Sequence, residues 1–404
     1  MKEGWEIKKL GALCEIELGK TPSRARKTFW DQTRKSNNVW LSISDLLRAE
    51  DNIVFDSKEY ISDSGAKISK IVRKGTLLVS FKLTLGRLAF AGRDLYTNEA
   101  IAALTIVNEC NLSKEFLFYF FHFFDWDKAT EGDVKIKGKT LNKAKLKLID
   151  VYFPPVAEQL RIVAILDGAF EGIATAKANA EKNLKNARQL FESHLNSVFS
   201  QRGEGWVEKS KPLDYLCELI VDCEHKTAPT QTEGIPSIRT PNIGKGKLLL
   251  DGVYRVSEQT YNEWTRRAVP RGSDLVIARE APAGNVAVIP DNLRLCLGQR
   301  TVLVRPKADI FESEFLAFFL LQSEMQKKLL AHSRGATVQH VNMKDIRALE
   351  IVAIPTLQEQ RSILSKIKSL ERETQRLESI YQKKIEALDA LRKSILQKAF
   401  SGKL

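Results

Sequence analysis

Cysteine is scarce in this chain: five cysteines are scattered over 404 residues, and no two of them form a C-x-x-C pair. An odd, dispersed set fits neither a disulfide framework nor a zinc knuckle. Free thiols persist in reducing compartments, so the pattern predicts a cytoplasmic protein. The five positions are Cys14, Cys110, Cys217, Cys223 and Cys296.

Long apolar runs are also missing. No stretch approaches the roughly 20 residues that a membrane-spanning helix needs, and residues 1–5 lack the apolar core of a secretion signal. The richest aromatic stretch, residues 116–124, is short and contains Tyr119 and His122, which indicates a buried helix. The sequence therefore predicts no membrane partner.

Catalytic and cofactor motifs are absent as well. The single Pro-Pro pair, Pro154-Pro155, lies outside any N/D-P-P-Y/F adenine-methylation motif, and no glycine-rich S-adenosylmethionine loop occurs. A phosphate loop requires four residues between its glycines, whereas five separate Gly132 from Gly138. The five histidines show no paired metal-ligand spacing. We expect no catalytic residue, metal site or cofactor in this chain.

What the chain has in excess is positive charge. Lysine and arginine number 63 against 50 acidic residues, which gives a net charge of +13 and a pI near 9.4. Such a field attracts polyanions, so nucleic acid is the leading partner, although a basic protein with solvated lysines has the same composition. With 43% hydrophobic residues, the length allows two or three domains with substantial cores.

The chain also contains an internal repeat. Residues 154–199 recur as residues 355–400 without insertion, a shift of 201 positions (355 minus 154). This period is too long for a solenoid, so the unit is a whole domain plus a helix, and the molecule should be pseudo-twofold symmetric. Matching pairs include Pro154/Pro355, Ile162/Ile363, Leu166/Ile367, Leu190/Leu391 and Phe199/Phe400.

Each repeated segment reads as one long amphipathic helix. Apolar residues recur at threes, fours and sevens among charged ones, while residues 174–180 of the first copy are rich in alanine. Forty-odd residues at about 1.5 Å each span roughly 65 Å, and the apolar stripe needs a covering partner. We expect the two copies to pair antiparallel as a spacer of fixed length, each entered through proline.

The globular parts keep the same landmarks in order while the sequence between them diverges. Both begin with Gly-Trp, and both contain short β-rich runs bounded by Gly, Pro and Asn, followed by an aromatic helix that we expect Ser113 or Ser313 to cap. The fold class is therefore α+β, with two mixed α/β domains separated by two long helices that form an antiparallel coiled coil. The predicted strands include residues 77–80, 101–107, 274–278 and 301–305. The predicted segments are a first domain (1–153), a first helical region (154–204), a second domain (205–354) and a second helical region (355–404).

Several short motifs stand out in order along the two halves of the chain. The pattern P-x-x-x-E-Q-x-x-I occurs twice. Further motifs are Gly19-Lys20-Thr21-Pro22-Ser23, residues 40–46, Glu224-His225-Lys226-Thr227, residues 238–243, residues 279–284 and the closing residues 396–404. Together these motifs resemble one family, the DNA-specificity subunits of type I restriction-modification systems, and the resemblance covers essentially the whole chain. Residues 80–86 depart from the family's pattern, which often has a more basic, glycine-led loop there.

The resemblance implies two target-recognition domains, each reading one half of a split, asymmetric sequence in double-stranded DNA. It also implies that the helices dock two modification subunits, which carry the adenine-N6 methyltransferase, and through them the ATP-driven restriction subunits. S-adenosylmethionine, ATP and Mg would then belong to those partner subunits. A different reading of the same sequence is a coiled-coil adaptor whose domains bind protein without DNA specificity.

Candidate DNA-binding residues are loop-borne cations and hydrogen-bonding side chains. For each one a solvated surface role is an open alternative. Arg239, Arg279 and Arg300 could instead form internal salt bridges with Glu280 or a neighbour, and His225 and His340 could be structural. The candidates are Lys20, Thr21, Ser23, Arg24, Arg26, Lys27, Arg34, Lys35, Lys82, Arg87, Lys137, Lys139 and Thr140 in the first domain, and His225, Lys226, Thr227, Arg239, Lys245, Lys247, Arg279, Arg300, Arg334, Thr337, Gln339 and His340 in the second.

The helical repeat supplies a candidate partner-binding site. Glu158-Gln159 and Glu359-Gln360 occupy equivalent places just after each proline. The positive end of the helix dipole explains the glutamate but not the glutamine that follows it. We hypothesise that these four residues brace domain to helix or contact the modification subunit.

Overall fold

The computed structural model describes residues 4–130, 134–135, 138–201, 205–331 and 339–404, and for residues 134–135, 138–140 and 209 it describes the backbone. Contacts divide the chain into two units, residues 1–180 with 383–404 and residues 181–382. Each unit combines one globular domain with parts of both long helices. No helix in these ranges has the length and apolar character needed to cross a membrane.

The first domain is built from short strands and short helices. Its strands are β1 (Glu6–Lys9), β2 (Cys14–Leu18), β3 (Val39–Leu41), β4 (Ile53–Val54), β5 (Glu59–Tyr60), β6 (Ile71–Val72), β7 (Leu77–Ser80), β8 (Lys82–Leu83), β9 (Leu88–Ala91), β10 (Leu95–Thr97), β11 (Ile101–Ile106), β12 (Val134–Lys135), β13 (Gly138–Thr140) and β14 (Asp150–Phe153). Its helices are α1 (Leu10–Leu13), α2 (Ile43–Leu46), α3 (Asp63–Lys67), α4 (Lys114–Phe123) and α5 (Lys143–Lys147), and the long helix α6 (Val156–Ser200) follows.

Two sheets form the body of this domain. The larger has the order β2-β11-β7-β9-β4, and the smaller has the order β5-β3-β10-β6. Alternation of apolar side chains lets the larger sheet serve two cores: Val79 and Leu104 face α4, whereas Leu78 and Ala103 face the smaller sheet. A separate pair joins β1 to β14 in antiparallel register, with Glu6 opposite Phe153.

The second domain repeats this plan. Its strands are β15 (Trp206–Pro212), β16 (Cys217–Asp222), β17 (Ile235–Ile238), β18 (Arg255–Val256), β19 (Leu275–Ala278), β20 (Val286–Val288), β21 (Cys296–Leu297), β22 (Thr301–Pro306) and β23 (Glu350–Pro355). Its helices are α7 (Leu213–Leu216), α8 (Glu258–Trp264), α9 (Ser313–Leu321), α10 (Ser323–Leu330) and α11 (Met343–Arg347), and the long helix α12 (Leu357–Phe400) follows.

The sheet orders show the equivalence of the two domains. The order β16-β22-β19-β20 corresponds to β2-β11-β7-β9, and β18-β17-β21 corresponds to β5-β3-β10. The pair β15 and β23 corresponds to β1 and β14, with Trp206 opposite Pro355. The four strands predicted from the sequence are confirmed as β7, β11, β19 and β22, with ends that differ by at most one residue.

The aromatic helices form the junction between each domain and the long helices. In the first unit Phe400 lies 5.3 Å from Phe116, ring centroid to ring centroid. In the second unit the equivalent Phe199 lies 5.4 Å from Phe315. The serine cap predicted for α4 is confirmed, because the Ser113 hydroxyl accepts a hydrogen bond from the Phe116 N–H at 3.2 Å. For α9 the prediction is wrong, since Ser313 is already the first helical residue and Glu312 precedes it without a side-chain cap.

Within each unit the long helices run antiparallel. In the first unit Lys177 on α6 pairs with Asp389 on α12 at 2.7 Å, and Arg392 lies 4.9 Å from the ring of Phe170. In the second unit Arg188 on α6 pairs with Glu378 on α12 at 3.0 Å, and Phe199 shares a core cluster with Ile363. In these contacts the residue numbers of α12 fall as those of α6 rise, so the two helices run antiparallel. The predicted fold class, α+β domains with paired long helices and an internal repeat, is confirmed.

Candidate nucleic-acid interface

The basic stretch at the start of the first domain is anchored to the smaller sheet. The Lys20 N–H donates to the Thr97 carbonyl at 2.8 Å, and the indole N–H of Trp40 donates to the Lys20 carbonyl at 3.1 Å. The Thr21 hydroxyl donates to the Glu99 carboxylate. Of the predicted residues here, Thr21 is thus half-buried and already paired, whereas Lys20 is exposed.

Arg24 is the most constrained cation of this stretch. Glu59 accepts hydrogen bonds from both of its terminal nitrogens, one of them at 3.0 Å. The guanidinium carbon lies 4.0 Å from the centroid of the Trp30 ring and 5.0 Å from that of Trp40. The side chain is 56% exposed, so its outer edge faces solvent while one face is covered.

Arg34 sits on a tight turn beside Arg24. Its φ of 59° is in the left-handed region, and Asp31 braces the turn by accepting hydrogen bonds from the N–H groups of Thr33 and Ser36 at 2.8 and 2.7 Å. Bonds from Thr33 and Ser36 hold the pKa of Asp31 well below its usual range. Arg24, Lys27, Arg34 and Lys58 then line one open groove.

The remaining candidates of the first domain are less concentrated. Ser23, Arg26, Lys35 and Arg87 are exposed, and Lys82 is half-buried with its ammonium 5.2 Å from the Phe81 ring. Strand β13 pairs with β8, so Thr140 lies opposite Lys82 and Lys139 opposite Leu83 along the backbone. Lys137 lies outside the described residues.

In the second domain four candidates form one polar network. Arg279 donates to Asp222 at 2.7 Å, to the Val341 carbonyl at 2.9 Å and to Nε2 of His340 at 3.0 Å. Arg300 pairs with Glu280, which also lies 3.1 Å from Nδ1 of His340. His225 is 3.3 Å from Asp222. Arg279, whose side chain is 12% exposed, therefore forms an internal salt bridge, which is the alternative considered from the sequence.

The ring of His340 is fully engaged in this network. An arginine can only donate, so Nε2 accepts and the Nδ1–H donates to Glu280. Burial lowers the pKa of His340, and the positive charges of Arg279 and Arg300 lower it further. The imidazole is therefore neutral at neutral pH and links Arg279 to Glu280.

The first domain fills the same place with apolar side chains. The Phe81 N–H donates to the Ala100 carbonyl at 3.0 Å, and the Phe81 carbonyl accepts from Leu141 at 3.0 Å. The Arg279 backbone makes the same two bonds to Arg300 and Val341. Phe81 is fully buried, so at this one position of residues 80–86 a core side chain stands where the second domain has an arginine.

The other candidates of the second domain divide into surface and interface residues. Arg239 is exposed, and its guanidinium carbon lies 4.4 Å from the ring centroid of Tyr254. Within the described part of the chain it does not form the salt bridge considered from the sequence. Lys245 pairs with Glu192 of α6 at 2.6 Å and so joins the domain to the helix. Lys226, Thr227, Lys247 and Gln339 are exposed. Arg334 and Thr337 lie outside the described residues.

The repeated glutamines fasten each long helix to its preceding domain. Gln159 accepts from the Ser113 N–H at 2.8 Å and donates to the carbonyls of Asn111 and Pro154 at 2.9 and 2.7 Å. Gln360 is equally buried and makes the same three bonds, accepting from Glu312 at 2.8 Å and donating to Ile310 and Pro355 at 2.7 and 2.9 Å. Of the two roles considered, bracing is the one these amides perform here.

The adjacent glutamates lie closer to the surface. Glu158 binds Arg161 through two hydrogen bonds of 2.7 and 2.9 Å on its own helix. Glu359 is half-buried, and its backbone N–H donates to the Thr356 hydroxyl at 3.3 Å. Their predicted part in partner binding stays a prediction.

Sequence reasoning missed the side chains that hold these cations in place. Glu59 and Trp30 contact Arg24, and Tyr254 contacts Arg239. A search for cations and amides passes over a carboxylate or an aromatic ring, and the pairing depends on strand register. Among the residues described by the structure, no group of three or more His, Cys, Asp or Glu is placed to hold a metal ion.

The fold and the basic surfaces define a class of protein: two equivalent α+β domains, each braced on paired long helices and each carrying its own set of surface cations. The family model of the type I restriction modification DNA specificity domain matches residues 2–186 and 215–387. The chain therefore belongs to this family, and its role lies in the recognition of DNA sequence.

Known relatives agree with this assignment. The chain is 22% identical to the type I restriction enzyme MjaIX specificity subunit of Methanocaldococcus jannaschii, over 99% of this chain and 93% of that protein. It is 23% identical to the type I restriction enzyme EcoBI specificity subunit of Escherichia coli, over 68% of this chain but 62% of that protein, less than two thirds of its length.

Solved structures share the fold. A chain from a study of complex assembly and conformational transition of the type I R-M system superposes with a TM-score of 0.76 at 20% identity, covering 100% of this chain and 99% of the other. The HsdS subunit from Thermoanaerobacter tengcongensis superposes with a TM-score of 0.57 at 19% identity, covering 100% of this chain and 98% of that one.

Proposed function

We propose that this chain is the sequence-reading subunit of a type I restriction-modification complex and that each domain reads one half of a split, asymmetric target. One observation carries the proposal: the two domains share strand order and backbone bonds, yet place different side chains at equivalent positions, such as Phe81 and Arg279. A duplicated frame with diverged side chains suits two recognition tasks of one kind on two different sequences.

The helices would dock two copies of a modification subunit. Most exposed positions differ between the helical repeats, but Lys182/Lys383, Leu190/Leu391 and Ser193/Ser394 are identical and exposed in both copies. These positions fall on one face of each helix, at spacings of eight and three residues. A surface that occurs twice fits a partner that binds twice. The R-M assembly described for the structural neighbour supports a multisubunit complex.

The chemistry would belong to the partners. We propose that this chain is non-catalytic and needs no cofactor, whereas S-adenosylmethionine, ATP and Mg serve the modification and restriction subunits. Such a complex would act on chromosomal DNA in the cytoplasm.

Gel-shift titration of the full chain at increasing salt tests DNA reading directly. Duplex binding that releases counterions should weaken by about 1,000-fold or more between 50 and 200 mM salt if six or more phosphates are contacted. A protein-binding adaptor should show no such binding, and that result would reject the proposal.

A further inference from the structure

Arg24 is held as a rigid fork at the surface of the first domain. Its guanidinium carbon lies 4.0 Å from the centroid of the Trp30 ring, and Glu59 accepts hydrogen bonds from both terminal nitrogens. Stacking and a two-point ion pair together restrict the rotamers of a side chain that is otherwise costly to order. The 56% exposure shows that this ordered group is presented to solvent.

The remaining donors of Arg24 suit a base edge better than a phosphate. A guanidinium carries five N–H donors, and Glu59 takes one from each terminal nitrogen, so the edge formed by Nε–H and its neighbouring N–H is left without a protein acceptor among the described residues. That edge matches the O6 and N7 acceptors of guanine. Glu59 also neutralises the charge, which weakens attraction to the phosphate backbone while the directed donors remain.

Tyr254 of the second domain occupies the place that Glu59 has in the first. Glu59 lies opposite Trp40, and Trp40 pairs with Tyr96 on the parallel strand β10. In the second domain Ser237 is the equivalent of Trp40, because it pairs with Cys296 on the parallel strand β21. The Ser237 N–H donates to the Tyr254 carbonyl at 2.7 Å, so Tyr254 lies opposite Ser237 as Glu59 lies opposite Trp40.

Arg239 stacks on this tyrosine at 4.4 Å. Both domains thus hold one exposed arginine against the same position of the equivalent sheet, through a carboxylate and two indoles in one domain and through a phenol ring in the other. Repetition of the placement with a different holder indicates that the arginine, not its holder, is the functional group.

We propose that Arg24 and Arg239 are the guanine-reading residues of the two domains, and that Glu59 and Tyr254 are positioning residues that orient them. The inference rests on the proposed function, because it assigns base-specific contacts to a chain that reads DNA.

Selection of bound duplexes from a random-sequence library, using the full chain, tests this inference. Wild type should show a guanine in each half of its preferred site that Arg24→Lys relaxes in one half and Arg239→Lys relaxes in the other. Each change should reduce discrimination at that one base pair by about 5- to 150-fold. Arg73→Lys is the matched control, because Arg73 also pairs with a carboxylate, Asp94 at 2.7 Å, and should leave the preferred site unchanged.

The positioning residues give a second readout. Glu59→Ala should relax the same guanine as Arg24→Lys, with partial recovery in Glu59→Gln, and Tyr254→Phe should retain the preference that Tyr254→Ala loses. Uniformly weaker binding of all sequences by Arg24→Lys would indicate a phosphate contact and overturn the inference, as would an unchanged site. A wild-type chain that binds DNA without any sequence preference would instead reject the proposed function.

Discussion

Arg279 and Phe81 occupy one backbone site with opposite chemistry. Phe81 is fully buried, whereas Arg279 is 12% exposed and faces Asp222, which is 15% exposed. Asp222 occupies the strand position that Leu18 has in the first domain. The N–H of the following residue, Gly19 or Cys223, donates at 3.2 Å to the carbonyl of the first residue of β11 or β22. In the first domain the apolar residues Leu18 and Phe81 therefore stand at the positions of Asp222 and Arg279.

Replacement of Arg279 should be costly unless its partner changes as well. Arg279→Phe removes the guanidinium that pairs with the Asp222 carboxylate at 2.7 Å and leaves that carboxylate beside the exposed His225 and the Cys223 thiol. The change should lower the free energy of unfolding by about 2–4 kcal/mol, since a half-broken buried pair retains an uncompensated charge. Asp222→Leu added to Arg279→Phe should recover most of the loss. Urea denaturation of the two variants measures this, and a double variant no more stable than the single one would contradict the explanation.

At the scale of elements, the glutamine braces explain why each long helix keeps a fixed orientation on its domain. Gln360→Ala removes three buried hydrogen bonds at once, those to the Glu312 N–H and to the carbonyls of Ile310 and Pro355. The expected loss is about 2–4 kcal/mol in the unfolding free energy, measured by chemical denaturation. Gln358→Ala, an exposed neighbour on the same helix, is the control and should change stability little. Equal effects of the two substitutions would show that the brace is dispensable.

The repeated leucines yield a second prediction at this scale. Leu190 and Leu391 are 50% and 47% exposed, and an aspartate at both positions should abolish co-purification with a modification subunit while leaving the melting temperature unchanged. Leu160 is a matched control, because it is 55% exposed on the same helix but its repeat partner is Arg361. Loss of assembly with Leu160→Asp and not with the paired change would place the partner elsewhere. Charge reversal of Glu158 and Glu359, the predicted partner-binding pair, belongs in the same assay.

The sequence predicted the helices and the strands because these depend on local periodicity. The repeat of 201 positions located both long helices, and the apolar runs located β7, β11, β19 and β22. The sequence did not predict which cations are engaged, because the partner lies far along the chain: Arg24 meets Glu59, and Lys245 meets Glu192. Such pairs depend on strand register and on how a domain packs on its helix, which no local pattern encodes.

At the scale of the whole molecule, the two-domain plan predicts separable recognition. Exchange of residues 1–153 for those of a relative should alter one half of the methylated sequence and leave the other half intact, measured by methylome sequencing of cells that also carry the modification subunit. Exchange of 205–354 should alter the opposite half. A change in both halves from either exchange would show that the domains do not read independently.

The strand pairs that close each domain make such exchanges mechanically simple. Because β1 lies against β14, and β15 against β23, the chain enters and leaves each domain at neighbouring points. Loops far from this strand pair can lengthen, shorten or change chemistry without moving the points at which the chain enters and leaves the domain. If each domain reads DNA as proposed, its sequence preference can change while the long helices and the points at which the chain joins them stay as they are.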